Sequence, residues 1–283
     1  MGERMRVTAI LIAAMAAGYV GGLMSQANTR VLAQGSAPVT SDVVRAKRFE
    51  LVDESGKTRG EFCTDEGEPG LFLYDAEGKA SGAFSTLKGD PYLSLYDSAG
   101  KLRGSFCTVK GEPGLSLWDS AGKARGVFCT EKGEPVLTLL DLAGNPRGSF
   151  YTDEGEPNLD LLDSAGKVRG TFYTDEGEPV LSLLDSAGET RGVFSTLKGD
   201  PGLALYDSEG KPRGGFGTLK GEPSLVLQDS AGNLRGRFST LKGAPGLVLV
   251  DAAGEARGLF GFVDGEPVLG LFDATGKVVW SAP

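Results

Sequence analysis

The chain reads DSAGKARGVFCTEKGEPVLTLL from Asp119 to Leu140 and then, without a break, DLAGNPRGSFYTDEGEPNLDLL from Asp141 to Leu162. The same residues recur at the same offsets: Asp, Gly, Arg-Gly, Phe, a second Gly, Pro and two leucines. The pattern extends in both directions. Asp53, Asp75, Asp97, Asp119, Asp141, Asp163, Asp185, Asp207, Asp229, Asp251 and Asp273 stand 22 residues apart with no insertion or deletion between them. Phe62 to Phe260, Pro69 to Pro267 and Leu71 to Leu269 form parallel series. A fixed period of this size marks a repeat array, in which each unit buries apolar surface only against its neighbours.

A finer period lies inside the unit. DESGKTRGEFC (Asp53–Cys63) aligns with TDEGEPGLFLY (Thr64–Tyr74) as a four-residue head and a seven-residue tail. The head predicts a type I turn closing on a left-handed glycine, capped by the Asp or Thr side-chain oxygen. The tail suits a strand, which usually runs about 3–10 residues. Each unit is then two turns and two short strands, and turns this tight join antiparallel neighbours. The fold class is therefore all-β: tandem 22-residue β-hairpins forming an antiparallel meander.

Alternation assigns the faces. Pairing across the turn Thr64–Gly67 sets Phe62 beside Pro69, Gly60 beside Leu71 and Thr58 beside Leu73. The other face carries Lys57 beside Tyr74, Arg59 beside Phe72 and Cys63 beside Glu68. An apolar face of this regularity is not expected to stay wet. The ribbon should curl on itself or pair with a second copy. The alternative architecture is a parallel β-solenoid with one unit per coil. It would stack Arg103, Arg125 and Arg147 about 4.8 Å apart, whereas the meander separates such equivalents by about 9.6 Å, two strand spacings. The like-charge repulsion favours the meander.

RGEFCTDEGEP and its copies, with Gly-x-Phe and a glycine five residues on, resemble MORN repeats, tandem β-hairpin units of similar length. The likeness spans Asp53 to Trp280, with Arg-Gly standing where that family carries a Tyr-x-Gly opening. It implies an array of hairpins in a scaffolding or membrane-proximal role.

The start of the chain is different. Arg4 and Arg6 precede VTAILIAAMAAGYVGGLM (Val7–Met24), an uncharged apolar run followed by small residues. That three-part order describes a secretory signal, with sites after Ala27 and after Ala33. The run of 18 residues is also near the length of a membrane span, about 17–25 residues. Residues 1–33 are thus read as a signal peptide or a helical membrane anchor, 34–50 as a linker, and 51–283 as a β-repeat domain of about ten units. The expected location is the periplasm, cell envelope or extracellular space.

Composition narrows the chemistry. A net charge of −9 argues against nucleic acid as a partner. There is no histidine, the commonest general base and metal ligand. The Asp series offers one carboxylate per turn, so each Asp reads as a turn cap and not as a calcium ligand. TDEGE at Thr64, Thr152 and Thr174 is more acidic, but the motif is not general along the array. No metal, cofactor or catalytic residues are expected, because no unit gathers an acid, a base and a nucleophile. The Arg series runs from Arg59 to Arg257, broken by Ser81, and the acidic series at the Glu68 position is broken by Ala244. These two are expected to pair across strands. Cys63, Cys107 and Cys129 share one repeat position that is otherwise Ser, Tyr or Gly, and no CxxC accompanies them.

Tyr74, Tyr96, Trp118 and Tyr206 share one position and form a candidate ligand-facing row. The function expected is structural: a non-catalytic, exported or membrane-anchored scaffold of the cell envelope. Its partners would be other envelope proteins or itself, with membrane contact through an uncleaved N-terminal segment. The alternative is a module binding carbohydrate or another extracellular polymer through the Tyr and Trp row.

Overall fold

The computed structural model of the chain describes residues 45–282 apart from Lys220, Lys242 and Asp264. The segment read as signal or anchor, residues 1–33, and most of the expected linker lie outside the described residues. The described residues form 22 β-strands and no helix. They divide into two units, one ending at Asn145 and the other beginning at Pro146. The first contains β1 (Arg48–Val52), β2 (Thr58–Asp65), β3 (Glu68–Tyr74), β4 (Ala80–Leu87), β5 (Asp90–Tyr96), β6 (Leu102–Val109), β7 (Glu112–Trp118), β8 (Ala124–Glu131) and β9 (Glu134–Leu140). The second runs from β10 (Pro146–Asp153) to β22 (Val278–Ala282) with the same alternation of eight- and seven-residue strands in between.

Within each unit successive strands pair antiparallel, as in β2 with β3 and β3 with β4, or β10 with β11. The meander is the architecture, and the parallel solenoid is overturned. The first strand begins at Arg48, inside the segment read as linker. Phe49 pairs with Phe62 and Leu51 with Gly60, the places that Leu71 and Leu73 take against Phe84 and Gly82.

The two turns of a unit differ in kind. At Asp119, Gly122 N donates to Asp119 O at 3.0 Å and Asp119 N to Lys123 O at 2.9 Å. The carboxylate Oδ1 accepts from Ala121 N at 2.8 Å and Lys123 N at 3.0 Å, and Gly122 takes φ +76°. This is the expected Asp-capped turn, and it recurs along both units. The Thr turn is a correction. Strands continue through Asp65 and Glu68, which pair with each other, leaving Glu66 (φ 50°) and Gly67 (φ 91°) as a two-residue loop. Two successive left-handed residues make a type I′ turn, whose twist matches that of the flanking strands. Thr64 is not a cap; it sits in the strand opposite Pro69.

The shorter loop moves the register by two residues. Phe62 pairs with Leu71, not Pro69; Gly60 with Leu73, not Leu71; Cys63 with Gly70, not Glu68; and Glu61, not Arg59, faces Phe72. Thr58 pairs with Val52 on the preceding strand. Because the shift is even, Gly60, Phe62 and Cys63 keep their assigned faces, whereas Thr58 moves from the face of Leu73 to that of Val52 and Tyr74. At the start of each eight-residue strand the ladder skips the Arg position. Leu95 pairs with Gly104 and Tyr96 with Leu102, leaving Arg103 as the extra residue of a β-bulge.

The open and closed faces are the reverse of expectation. Phe62 is 53% exposed and Leu73 49%, whereas Ser116 and Val127 on the opposite face are 0% and 1% exposed. Ser94, Ser105, Ser116, Val127 and Thr138 form one closed row across β5 to β9. Alternation fixes which residues share a face, not which face the sheet encloses, and the enclosed one is that of Ser116 and Val127.

Candidate interaction surface

The edge formed by the Asp turns is stapled. The Arg191 guanidinium donates from Nη2 to Asp185 Oδ2 of its own turn at 2.5 Å. From Nη1 it donates to the carbonyl of Asp207, in the next turn, at 2.6 Å. Arg103, Arg125, Arg169, Arg213, Arg235 and Arg257 repeat both contacts with the corresponding aspartates. The bulge makes this possible, because it frees the Arg side chain from strict alternation and aims it along the edge. A guanidinium fork suits two acceptors at once. Lys79 and Lys101 add bonds from Nζ to the carbonyls of Ser98 and Ser120 at 3.2 and 3.1 Å. Each turn therefore holds the next.

The expected Arg to Glu68-type pairing across the sheet is replaced by this arrangement. The acidic residue at that position instead accepts from the Thr of the following hairpin: Thr218 Oγ1 donates to Asp200 Oδ1 at 2.9 Å, and Thr86 and Thr130 donate to Glu68 and Glu112. The constant six-residue offset from Asp to Arg was the sequence signal for the staple.

These contacts set the charge state of the turns. The N–H of Lys123 first, and the Arg125 guanidinium after it, hold the Asp119 carboxyl below the usual carboxylate range. At Asp229 the Asn233 N–H leads, supported by the Asn233 side chain, the Ala231 N–H and Arg235, and the carboxyl is held at about 2. The carboxylates are consumed by their own turns. Among the described residues no group of three or more His, Cys, Asp or Glu gathers as a metal site.

The broad faces differ in how much they vary between repeats. On the open face Gly60, Phe62, Pro69, Leu71 and Leu73 each recur unchanged in all ten copies. Pairing lines them up in rows: Phe62, Leu71, Phe84 and Leu93 in one, Gly60, Leu73, Gly82 and Leu95 in the next. On the closed face the Glu61 position is Glu, Ala, Ser, Val, Ser, Thr, Val, Gly, Arg and Leu in turn. In a folded domain the closed side is usually the one that tolerates least. Here the half-exposed side is fixed and the closed side drifts. That contrast was present in the sequence, but only the burial shows what it means.

The aromatic row belongs to the closed face. Tyr74, Tyr96 and Trp118 stand on alternate strands β3, β5 and β7 of the first unit, half-buried, and Tyr206 stands in the second. Tyr74 donates its hydroxyl to Glu61 Oε1, and burial followed by this bond raises its pKa. The first three are thus brought to one face, two strand spacings apart, and Tyr206 is placed separately. Cys63, Cys107 and Cys129 are buried on the same face as free thiols. Gly114 lies between Cys107 and Cys129, pairing with each. Burial, aided by Glu131 and Glu112, pushes the Cys129 thiol up to about 11.

Comparison with known proteins adds no family. No family model matches the chain, and no curated protein matches it. Solved structures with some likeness include a Tc holotoxin pore from Photorhabdus luminescens (TM-score 0.18, 12% identity) and a porin-like protein from Bacteroides uniformis (TM-score 0.18, 11% identity). The alignment with the toxin pore covers 81% of this chain and 16% of the other, and that with the porin-like protein covers 74% and 91%. The chain therefore spans a small part of the toxin pore's length. Superposition at this level carries no argument about function.

Proposed function

We propose that the chain is a non-catalytic β-repeat scaffold of the cell envelope, exported or anchored by its N-terminal apolar segment. It presents a long regular surface to other proteins or to itself. The observation that carries this reading is the open face: Phe, Pro and two leucines repeated without change in ten copies, with every Phe of the series 50–62% exposed. An apolar surface kept this uniform is an interaction surface. The turn staples support the same reading, because they stiffen the edge and hold successive rows at one spacing. The resemblance to hairpin-repeat scaffolds points the same way. Export rests on the order of Arg4, Arg6 and the uncharged run Val7–Met24.

The test has two arms. Fusion of residues 1–44 to a reporter active only outside the cytoplasm should give signal, and replacing Leu11 and Ile12 by Asp should abolish it. Photo-crosslinking from the open face in cells producing the full chain should yield protein adducts. A chain that stays in the cytoplasm or gives no protein adduct refutes the scaffold reading.

A further inference from the structure

The open face and the Asp turns are nearly the same in every repeat. Gly60, Phe62, Pro69, Leu71 and Leu73 recur in all ten copies, and the Asp-capped turn recurs with them. A strand laid beside the corresponding strand of the wrong repeat would keep its open-face rows and its turn bonds. A skipped repeat leaves a loop of 22 residues, and loop-closure entropy grows only slowly with length. Neither feature tells one repeat from the next.

The closed face does. Across the positions of Glu61, Cys63, Gly70, Phe72 and Tyr74 the ten copies hold three charged residues, Glu61, Asp160 and Arg237. They stand in the first, fifth and ninth copies, on β2, β11 (Glu156–Leu162) and β18 (Leu234–Leu241). Each is bonded to an adjacent strand. Glu61 accepts from the Tyr74 hydroxyl on β3 and pairs with Arg48 Nη1 on β1 at 3.3 Å. Asp160, 5% exposed, accepts at Oδ2 from the Tyr151 hydroxyl on β10 at 3.0 Å. Arg237 donates from Nε to Ser224 Oγ, on β17 (Glu222–Gln228), at 3.2 Å.

The partners are as particular as the charges. Arg48 stands at the Gly70 place of the ladder, where no copy carries a charge. Tyr151 and Tyr173 are the only tyrosines at the Cys63 position, and Ser224 is the only serine at the Gly70 position. Asp160 lies between Ser149 on β10 and Thr171 on β12 (Val168–Asp175), a hydroxyl residue on each side. One repeat before Ser149 and Tyr151 those places hold Val127 and Cys129; one repeat after Thr171 and Tyr173 they hold Val193 and Ser195. The places on either side of Ser224 hold Gly202 and Gly246. A slip of one repeat thus sets Asp160 against valine and Arg237 against glycine. A buried charge stripped of its partner is among the costliest defects a fold can carry.

We propose that Glu61, Asp160 and Arg237 are register pins, which let the hairpins of the array pair only with their neighbours in sequence. A single buried polar residue sets register in the same way in a coiled coil, another packing whose apolar pattern repeats. The pins sit on the face that varies, because a closed face as uniform as the open one would give every repeat the same address. They act whatever the array binds.

The test is refolding of the full chain from urea, with pulsed amide exchange read peptide by peptide by mass spectrometry. The triple variant Glu61→Ser, Asp160→Ser, Arg237→Ser places at each site a residue that other copies already hold there, as Ser105 and Ser94 show. The parent should refold with one protected population in β10 to β12. The triple variant should add a second, under-protected population about tenfold larger than the parent's, the factor that one unsatisfied buried group is worth. Its thermal midpoint should stay near the parent's, since charge and partner bond are lost together. Arg125→Ala is the control: it removes a staple that recurs along the array, so it should lower the midpoint and add no second population. Adding Ser182→Asp to the triple variant sets a carboxylate where Thr171 and Tyr173 flank it as Ser149 and Tyr151 flank Asp160, and should suppress the second population. A triple variant that refolds like the parent overturns the proposal. So does an equal second population in Arg125→Ala, because loss of stability alone would then account for it. Should the triple variant not refold, the second population must appear in Asp160→Ser and vanish when Ser182→Asp is added; any other pattern overturns the pins.

Discussion

Ser81 is the one place where the Arg series is broken, and it offers a gain-of-function test of the turn staple. Asp75 still caps its own turn, with Lys79 N donating to Oδ1 at 2.8 Å. What is missing is the fork that elsewhere joins Oδ2 of one turn to the backbone carbonyl of the next. Ser81 is exposed at the bulge, and the backbone there pairs as in other units, Leu73 with Gly82 and Tyr74 with Ala80. An arginine at this position should therefore reach Asp75 Oδ2 and the carbonyl of Asp97. That carbonyl already accepts from Gly100 N at 2.8 Å, but a carbonyl has a second lone pair, as Asp119 O shows by serving both Gly122 and Arg103.

The magnitude follows from the neighbours. In the Arg103–Asp97 and Arg125–Asp119 pairs each side chain keeps about a quarter of its surface exposed. A pair this wet contributes about 0.2–1 kcal/mol. The charge-assisted bond to the carbonyl adds about 1.5–3 kcal/mol. Fixing the arginine costs up to about 2 kcal/mol of rotamer entropy. Ser81→Arg should thus stabilise by about 1 kcal/mol, a rise of about 2–4 °C in the midpoint for a domain of 150–250 residues. Stability in an array is a sum over neighbours, so a local measurement is sharper. Amide exchange should slow in the turns at 75–79 and 97–101 and nowhere beyond β7. Ser81→Lys is the control: a point charge cannot fork, and it should give less than half the protection. Equal protection from Lys and Arg, or none from either, would refute the staple as the force joining the turns.

Three further outcomes can be checked. Lys132 sits at φ 55° before Gly133, in a type I′ loop that favours Asn-Gly; Lys132→Asn should raise the urea midpoint, recovering about 0.5–1 kcal/mol of the 1–2 kcal/mol or so that left-handed backbone costs most residues, while Lys132→Val should lower it. Asp97, Asp119, Asp163, Asp185, Asp207, Asp229 and Asp251 titrate below their unfolded value of about 3.9, Asp229 at about 2. The folded state thus binds fewer protons than the unfolded chain between those limits, so their contribution is full above about pH 5 and is lost as pH falls from about 4 to 2. A thermal midpoint that stays level across that window would contradict it. Cys107 and Cys129 are separated by a whole strand at Gly114, about 9.6 Å by two strand spacings, beyond the 4.4–6.8 Å or so that a disulfide spans. Non-reducing peptide mapping of oxidised monomer should show no Cys107–Cys129 link, and native alkylation of Cys129 at pH 8 should be about a hundredfold slower than in the unfolded chain.

The period, the strand pair per unit, the antiparallel order and the Asp cap were all legible, because each rests on local stereochemistry that one repeat displays in full. The second turn was misread. Thr64 and Asp53 occupy equivalent places in the two half-repeats, but Glu66 adopts the left-handed backbone that an acidic side chain seldom takes, and the loop shortens by two residues. The slip itself was silent with respect to the faces, since an even shift leaves alternation intact, but the bulge carried Thr58 to the other face. It was not silent with respect to partners, and Arg59 was given a cross-strand neighbour that the bulge removes. The larger misreading was burial. Amphipathic alternation says which residues belong together; it does not say that a single layer of sheet can cover them.

That layer explains why the two sets of fixed residues have different causes. Aspartate, arginine and the turn glycines recur because turn geometry and the staple demand them, and each contributes within one unit and its neighbour. The closed face changes from copy to copy and accepts several sizes: at one position Ser116 is fully buried, and Phe72, Thr138, Asp160, Ala204 and Val248 occupy the equivalent place. The strand Gly follows the bulge at the Arg position, whereas the Phe and Leu of the open face keep much of their surface in water. Loss of a staple should lower stability, whereas Phe106→Ser, at a side chain 53% exposed, should cost less. A single mechanism behind both sets, whether packing or descent from a common unit, would make the two classes of variant behave alike.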